Sequence, residues 1–230
     1  MRLPVLISVP HAGLEIPTEV KDLCILGKQD IIKDGDEGAA EIYLALKKEV
    51  SAMVTTDVAR AIIDMNRPED DRTRDGIVKT RTCWNVPVYG RFPSEENIKR
   101  LILKYYRPYH SDLSRLVRGA RLGLDCHTMA AEGPPVGPDP GVRRPRICLS
   151  NGDGTCPREW MQSLAECFKK AFKTKIAINQ PFKGGHIIRS HAKELPWIQL
   201  ELSREDFLSN EGKSEAVLQA LADWSNRLHE

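Results

Sequence analysis

The sequence predicts an α/β domain whose mostly parallel or mixed sheet is covered by helices on both faces. Three observations lead there. Short apolar runs that read as strands alternate with longer stretches at helical spacing. The runs "PVLISV", "RLGLDCH" and "PWIQLELS" are apolar almost throughout, the pattern of strands buried on both faces. Four apolar runs also end in polar residues that a core rejects, and open α/β sheets gather ligands beyond the carboxyl ends of their strands.

In chain order, "PVLISV" is the first strand. It stops at Pro10 and is followed by His11, Ala12 and Gly13, small residues that let a backbone, a ligand or a metal come close. "AAEIYLALKKEVSAM" has helical spacing, with Ile42, Leu46 and Val50 on one side. "VTTDV" and "AIIDM" are short β-branched runs on either side of Arg60. A long helical stretch follows over 93–120, with Ser94 as N-cap, Glu95 and Glu96 in the first turn, and Pro108 expected to kink or break it. "RLGLDCH" and "RICLS" are strands joined by the Pro/Gly-rich loop "AAEGPPVGPDPGV". "GDGT" precedes a helix over about 157–172. "KIAIN", "PFKGGHIIRS" and "PWIQLELS" come next, and "SEAVLQALADWSNRL" is a closing amphipathic helix.

The bulk numbers bound the class. A chain of 230 residues with 41% hydrophobic side chains fits one domain over 1–230 with an ample core. No apolar run reaches membrane-spanning length and "MRLPVL" is too short for a signal peptide, so a soluble, cytoplasmic protein without a membrane partner is expected. A formal charge of +2 is too balanced to argue for nucleic acid. The basic cluster "VRRPR" reads first as a solvated loop and second as an anion site. The six cysteines show no CxxC spacing and read as reduced thiols, with Cys126 and Cys148 as packing residues.

The chemistry lies at the strand ends: His11, then Asp64, Asn66 and Arg67 of "IIDMNRP", then Asp125 and His127 of "LDCHTM", then Gln199 and Glu201 of "IQLELSR". Strand alternation puts Asp125 and His127 on one face with Cys126 on the other, which argues against a Cys–His dyad. It likewise separates Gln199 and Glu201 from Ile198, Leu200 and Leu202. Taken singly, each residue has a plainer reading. A lone histidine is usually a satisfied core or loop residue, Glu201 is half of an ion pair with Arg60 or Arg67, and Asn66-Arg67-Pro68 is a turn. His110 is plain surface and His186 a loop tip. Their coincidence has a chemistry. Two imidazoles and a carboxylate are the ligand set of a catalytic zinc, an unliganded glutamate can move the proton of an attacking water, and arginines grip a carboxylate.

The segments "SVPHAG", "DGDEGAAEIY", "VARAIIDMNRPEDD", "YYRPYHSDL", "LDCHTM", "GDGTC", "PFKGGHIIRS" and "IQLELSR", in this order from Ser8 to Arg204, resemble the N-formylglutamate amidohydrolase family. That family is similar to the zinc carboxypeptidase and aspartoacylase hydrolases. The resemblance implies a three-layer α/β/α domain around a mixed sheet. It implies zinc, or another divalent metal, and a small N-acyl amino acid as substrate. The implied reaction is release of formate from N-formyl-L-glutamate, the last step of one histidine-degradation route.

By position, the resemblance makes His11 and His127 metal ligands, with Asp36 of "DGDEGAAEIY" the favoured third and Glu15 second. Glu201 takes the place of the general base and Arg60 that of the arginine polarising the scissile carbonyl. Asn66 and Arg67 hold the substrate α-carboxylate, and Lys183 or the backbone of Gly184 and Gly185 meets the distal one. Asp125 either orients His127 or caps its strand. Glu37 stands where the family carries Trp, His186 where it carries an aromatic, and the loop over 130–146 is longer than usual. These departures bear on which acyl-amino acid is cleaved. Other N-acyl amino acids, a carboxypeptidase-like hydrolysis, and metal or amino-acid binding without catalysis are the alternatives. A nucleotide site at "NGDGT" lacks the lysine and glycine spacing of a phosphate loop.

Overall fold

The computed structural model describes residues 2–228. Its centre is a six-stranded sheet. The strands are β1 (Leu3–Val9), β2 (Val50–Thr55), β3 (Leu122–Met129), β4 (Ile147–Ser150), β5 (Ala177–Ile178) and β6 (Trp197–Ser203). The order is β2-β1-β3-β6-β4-β5, and every neighbouring pair is parallel except β4 with β6. The mixed, mostly parallel sheet expected from the sequence is therefore present.

Alternation sorts the side chains into two cores. Val5, Ile7 and Val9 of β1, Leu122, Leu124 and Cys126 of β3, and Ile198, Leu200 and Leu202 of β6 face one way. They pack against α2 (Ala39–Tyr43), α5 (Arg158–Phe172) and α7 (Asn210–Arg227). The opposite face carries Leu6 and Trp197 and meets the segments around 58–65 and 77–89, α3 (Glu95–Leu101), α4 (Arg107–Arg115) and α6 (His186–Ser190). Ser8, Asp125, His127, Gln199 and Glu201 are buried on that second face. Only there do the strands carry a polar row. The period of two thus confines the chemistry to one side of the sheet.

Several elements differ from their sequence reading. The helix after Gly38 closes as a 3₁₀ turn at Lys48, and Val50 begins β2 instead of extending the helix. Val50 is β-branched and follows two lysines and a glutamate, so helical spacing and strand onset overlap there. "AIIDM" is a series of turns and not a strand. Ile62, Ile63 and Met65 are fully buried, but against the sheet and not within it. Arg60 accordingly lies five residues past the end of β2, not at a strand end. "KIAIN" supplies only the two residues of β5. The short helix α1 (Lys28–Asp34) has no counterpart in the sequence reading. Pro108 neither breaks nor ends its helix. A π turn over Ile102–Tyr106, with the Arg107 N–H reaching Ile102 O, absorbs the missing donor and the ring.

The Pro/Gly-rich loop between β3 and β4 is a strap over the site. It is held by its own hydrogen bonds, Gly133 N to Val142 O (2.9 Å) and Arg144 N to Ala131 O (2.8 Å). At its tip Val136 N donates to Cys83 O (3.0 Å). The basic cluster is solvated in part: Arg143 and Arg146 are exposed, whereas the Arg144 side chain is buried and donates twice to Asp139 (2.8 and 2.7 Å).

His110 is also no surface residue. Its Nε2 donates to Met65 O (2.9 Å), so its Nδ1 accepts from His191 Nε2 (2.9 Å), and His186 lies edge-on at 5.6 Å. His191 in turn contacts Glu194 (2.9 Å). This chain of imidazoles ties α4 and α6 to the turn that carries Asn66.

Two predictions arise from this packing. A Cβ on Gly123 would lie 2.2 Å from the ring of Trp197, its partner in the β3–β6 register. Gly123→Ala is expected to lower stability by about 1–3 kcal/mol, read as the shift of a urea unfolding midpoint. Burial first, then His191, push the His110 imidazole down to about 4. The unfolded chain binds the proton more readily, so stability should be full above about pH 6.5 and fall as the pH drops toward 4. His110→Gln should flatten that slope in thermal melts across this window.

Candidate metal centre

His11 follows β1, and His127 lies on β3 near its carboxyl end. Asp36 follows α1 and is drawn to them by its backbone, whose N–H donates to His11 O (3.1 Å). The three side chains converge. His127 Nδ1 is 2.9 Å from Asp36 Oδ2 and 3.2 Å from His11 Nδ1, and His11 Nδ1 is 3.5 Å from Asp36 Oδ2. Among the described residues this is the one group of three or more His, Cys, Asp or Glu with that convergence. Glu15 is exposed and takes no part in it.

The far side of each ring explains the arrangement. His11 Nε2 meets Asp64 Oδ1 at 2.8 Å, and His127 Nε2 meets Asp125 Oδ2 at 2.9 Å. A carboxylate only accepts, so each Nε2 carries the hydrogen and each Nδ1 presents a lone pair. With both imidazoles neutral, two lone pairs and a carboxylate oxygen face one another and need a cation, a metal ion or a proton, among them. Ligands held about 2.0–2.2 Å from a tetrahedral zinc stand roughly 3.3 Å apart, and the three edges here bracket that value. The residues fit a divalent metal. Burial opposes protonation of His127, but Asp125, Glu201 and Asp36 raise its imidazole well above the usual value, a sign of the same excess negative charge.

Both outer carboxylates are themselves fixed. Asp125 receives Ser8 Oγ (2.7 Å) and Asn66 Nδ2 (3.4 Å), and Ser8 Oγ is also bonded to the Tyr109 hydroxyl (2.8 Å). Asp64 receives the Asn66 N–H (2.8 Å) and Arg60 Nε (3.1 Å). Thr128 N–H reaches Asp36 Oδ2 at 3.2 Å.

Glu201 sits beside His127 in the β3–β6 register and is buried without metal-site contacts of its own. Its Oε1 accepts from Gln199 Nε2 (2.8 Å). Burial pushes its carboxyl up to about 7, with His127 opposing and Asp36 adding to the rise. A carboxyl poised there can take or give a proton near neutrality.

His11, Asp36, His127 and Glu201 line a cavity of about 290 Å³, together with Arg60, Asn66, Arg67, Lys183, Gly184 and Gly185. Every site residue the resemblance implied apart from Glu15 and Asp125 thus reaches its wall, whereas Asp64, His110 and His186 do not. Not all are free. The Asn66 amide is engaged, since its Oδ1 accepts from Ile187 N (2.8 Å) while its Nδ2 serves Asp125. The Gly185 N–H donates to Gln199 Oε1 (2.7 Å), and a Cβ there would meet the Asn66 side chain at 2.3 Å. Arg67 donates to the Asp75 carbonyl (2.7 Å) and carboxylate (2.5 Å). Arg144, from the cluster whose second reading was an anion site, and Arg204, given no role in the sequence reading, also line the cavity, and Arg204 Nη2 is 3.7 Å from Asp36. Lys79 was missed as well. It follows the buried pair Ile77 and Val78, and an apolar run ending in a lysine was the signal available.

Known proteins share this sequence and fold. The N-formylglutamate amidohydrolase family profile matches residues 3–208. N-formylglutamate deformylase of Pseudomonas putida is 29% identical over 224 residues, covering 90% of this chain and 82% of that protein. The deformylase of Pseudomonas aeruginosa is 26% identical, covering 91% and 84%. The crystal structure of N-formylglutamate amidohydrolase from Ralstonia eutropha JMP134 superposes with a TM-score of 0.78 at 20% identity, covering 99% of this chain and 93% of that one. A gene product of Agrobacterium tumefaciens gives 0.77 at 19%, with 99% and 92% covered. These two share the fold. The profile match extends over nearly the whole chain, metal triad and Glu201 included, and the chain belongs to the N-formylglutamate amidohydrolase family.

Proposed function

We propose that this chain is a metal-dependent amidohydrolase that cleaves N-formyl-L-glutamate to formate and L-glutamate. One observation carries the reading. Two imidazoles, each oriented by its own buried carboxylate, and Asp36 face one point, and an unliganded buried glutamate opens on the same cavity. Binding alone has no use for Glu201. A divalent ion, zinc by the chemistry of the donor set, supplies when bound the positive charge that acidifies a water and polarises a carbonyl.

Glu201 takes the proton of the attacking water at a carboxylate oxygen and later delivers it to the departing amine nitrogen. The Gln199 amide holds that carboxylate in place. The Arg60 guanidinium, fixed by Asp64, faces the charge that develops on the carbonyl oxygen. Arg67 grips the α-carboxylate. Asn66 sets the wall beside it by bracing Asp125 and the start of α6. Lys183 and the backbone of Gly184 meet the distal carboxylate. A cavity of about 290 Å³ suits a small amino-acid derivative, and the arginines and lysine on its wall favour a dianion. The relatives named as deformylases act on this same substrate.

The direct test is formate release from N-formyl-L-glutamate by metal-loaded protein, beside a panel of other N-acyl amino acids. A preference for an acyl-amino acid without a second carboxylate would refute the substrate assignment. Glu201→Gln should retain the metal and lose kcat by about 10²–10⁴. Normal turnover in that variant would remove Glu201 as the base. Dialysis against a chelator should abolish activity and added zinc restore it. Asp125→Asn should weaken metal affinity by about 10–100-fold in a competition titration with a chromogenic chelator.

A further inference from the structure

Lys79 is fully buried, with no exposed surface. Its ammonium faces three carboxylates from three parts of the chain. It is 3.4 Å from Asp34 Oδ2, 3.3 Å from Asp75 Oδ1 and 3.8 Å from Asp64 Oδ2. A lysine has three N–H donors and no acceptor, so the group suits a three-acid socket. Each acid serves something else. Asp64 orients His11, Asp34 receives the Cys83 N–H (2.7 Å), and Asp75 pairs with Arg67. The cluster also contains Arg60 and Arg67, so three cations face three anions.

The division of Asp75 is the informative part. Arg67 is bound to Oδ2 and Lys79 lies at Oδ1 of the same carboxylate. Without Lys79, Arg67 and Asp75 would form a closed pair of zero net charge, and the cluster would carry one surplus negative charge where an anion has to bind. With Lys79 present, the Asp75 charge is shared and the guanidinium keeps positive charge to offer. Burial would raise the Asp75 carboxyl, but Lys79, ahead of Arg67, holds it below its ordinary value.

We propose that Lys79 is a positioning residue for substrate binding: by neutralising Asp75 from beneath, it keeps Arg67 available to the substrate carboxylate. The inference rests on the reading of Arg67 as the carboxylate anchor. It needs no contact between Lys79 and substrate.

Steady-state kinetics with N-formyl-L-glutamate on the metal-loaded variants test it. Lys79→Met should raise KM at least tenfold with kcat within threefold of the parent and metal content unchanged. Adding Asp75→Asn to it should return KM to within threefold of the parent, a suppression that damage to packing would not show. A folded Lys79→Met protein with KM within twofold of the parent, or a double variant with no recovery, would overturn the proposal. Should Lys79→Met fail to fold, Asp75→Asn alone decides. Relief of the competition for Arg67 should lower its KM two- to fivefold, and a KM equal to or above the parent's would refute the role. Arg67→Met separates the two levels. An unchanged KM there defeats the anchor reading, whereas a raised KM beside an unaffected Lys79→Met defeats only the role of Lys79.

Discussion

The site depends on a pair of contacts remote from any substrate: Asp64 on His11 and Asp125 on His127. By taking the Nε2 hydrogens, these buried acids leave the Nδ1 atoms as lone pairs aimed at each other and at Asp36. Three such poles repel unless a cation, a proton included, stands among them. The fold tolerates them because the network behind them is complete, with Ser8, Asn66 and Arg60 satisfying the outer oxygens and Tyr109 holding Ser8. A free end in that network would leave a buried charge uncompensated, which costs several kcal/mol. The convergence of His11, His127 and Asp36 is therefore held by the protein's own contacts.

Charge matching reaches further along the cavity wall. The acids that orient the ligands and brace the loops are balanced by Arg60, Arg67 and Lys79, so the burial of so many ionised groups is offset locally. The strand pattern decides where this can happen. One face of β1, β3 and β6 is apolar apart from Thr128 and packs on α2, α5 and α7, while the other carries the polar row. Stability and chemistry are thereby assigned to opposite sides of one sheet. Glu201 gains its raised affinity for a proton from burial on that strand.

Much of this was legible in the residues. Asp125, His127, Gln199 and Glu201 declare themselves as polar letters in apolar strands, and a period of two puts them on one face. His11 and Asp36 were legible through the motifs around them. What stayed hidden was long-range pairing. Asp64 meets His11 across 53 positions, and nothing local in "IIDMNRP" says so. The same segment misled as a strand, because burial against a sheet and burial within one produce the same apolar letters. Val50 carried both helical and strand signals. Arg144 looked solvated because its partner Asp139 sits in a loop whose turns no periodicity describes. Lys79 was passed over for the opposite reason: a lone lysine is ordinarily surface, and only the convergence of Asp34, Asp64 and Asp75 makes it otherwise.

The strap between β3 and β4 has a structural consequence of its own. Because β4 runs against β6, Ile147 starts level with Leu202, close to where β3 finished. The connection therefore leaves and rejoins the sheet at one end, passing over the strand that bears Glu201. Such a detour can lengthen, shorten or change its lettering without disturbing a single rung of the ladder. The cavity's rim is thereby separable from the strands beneath it.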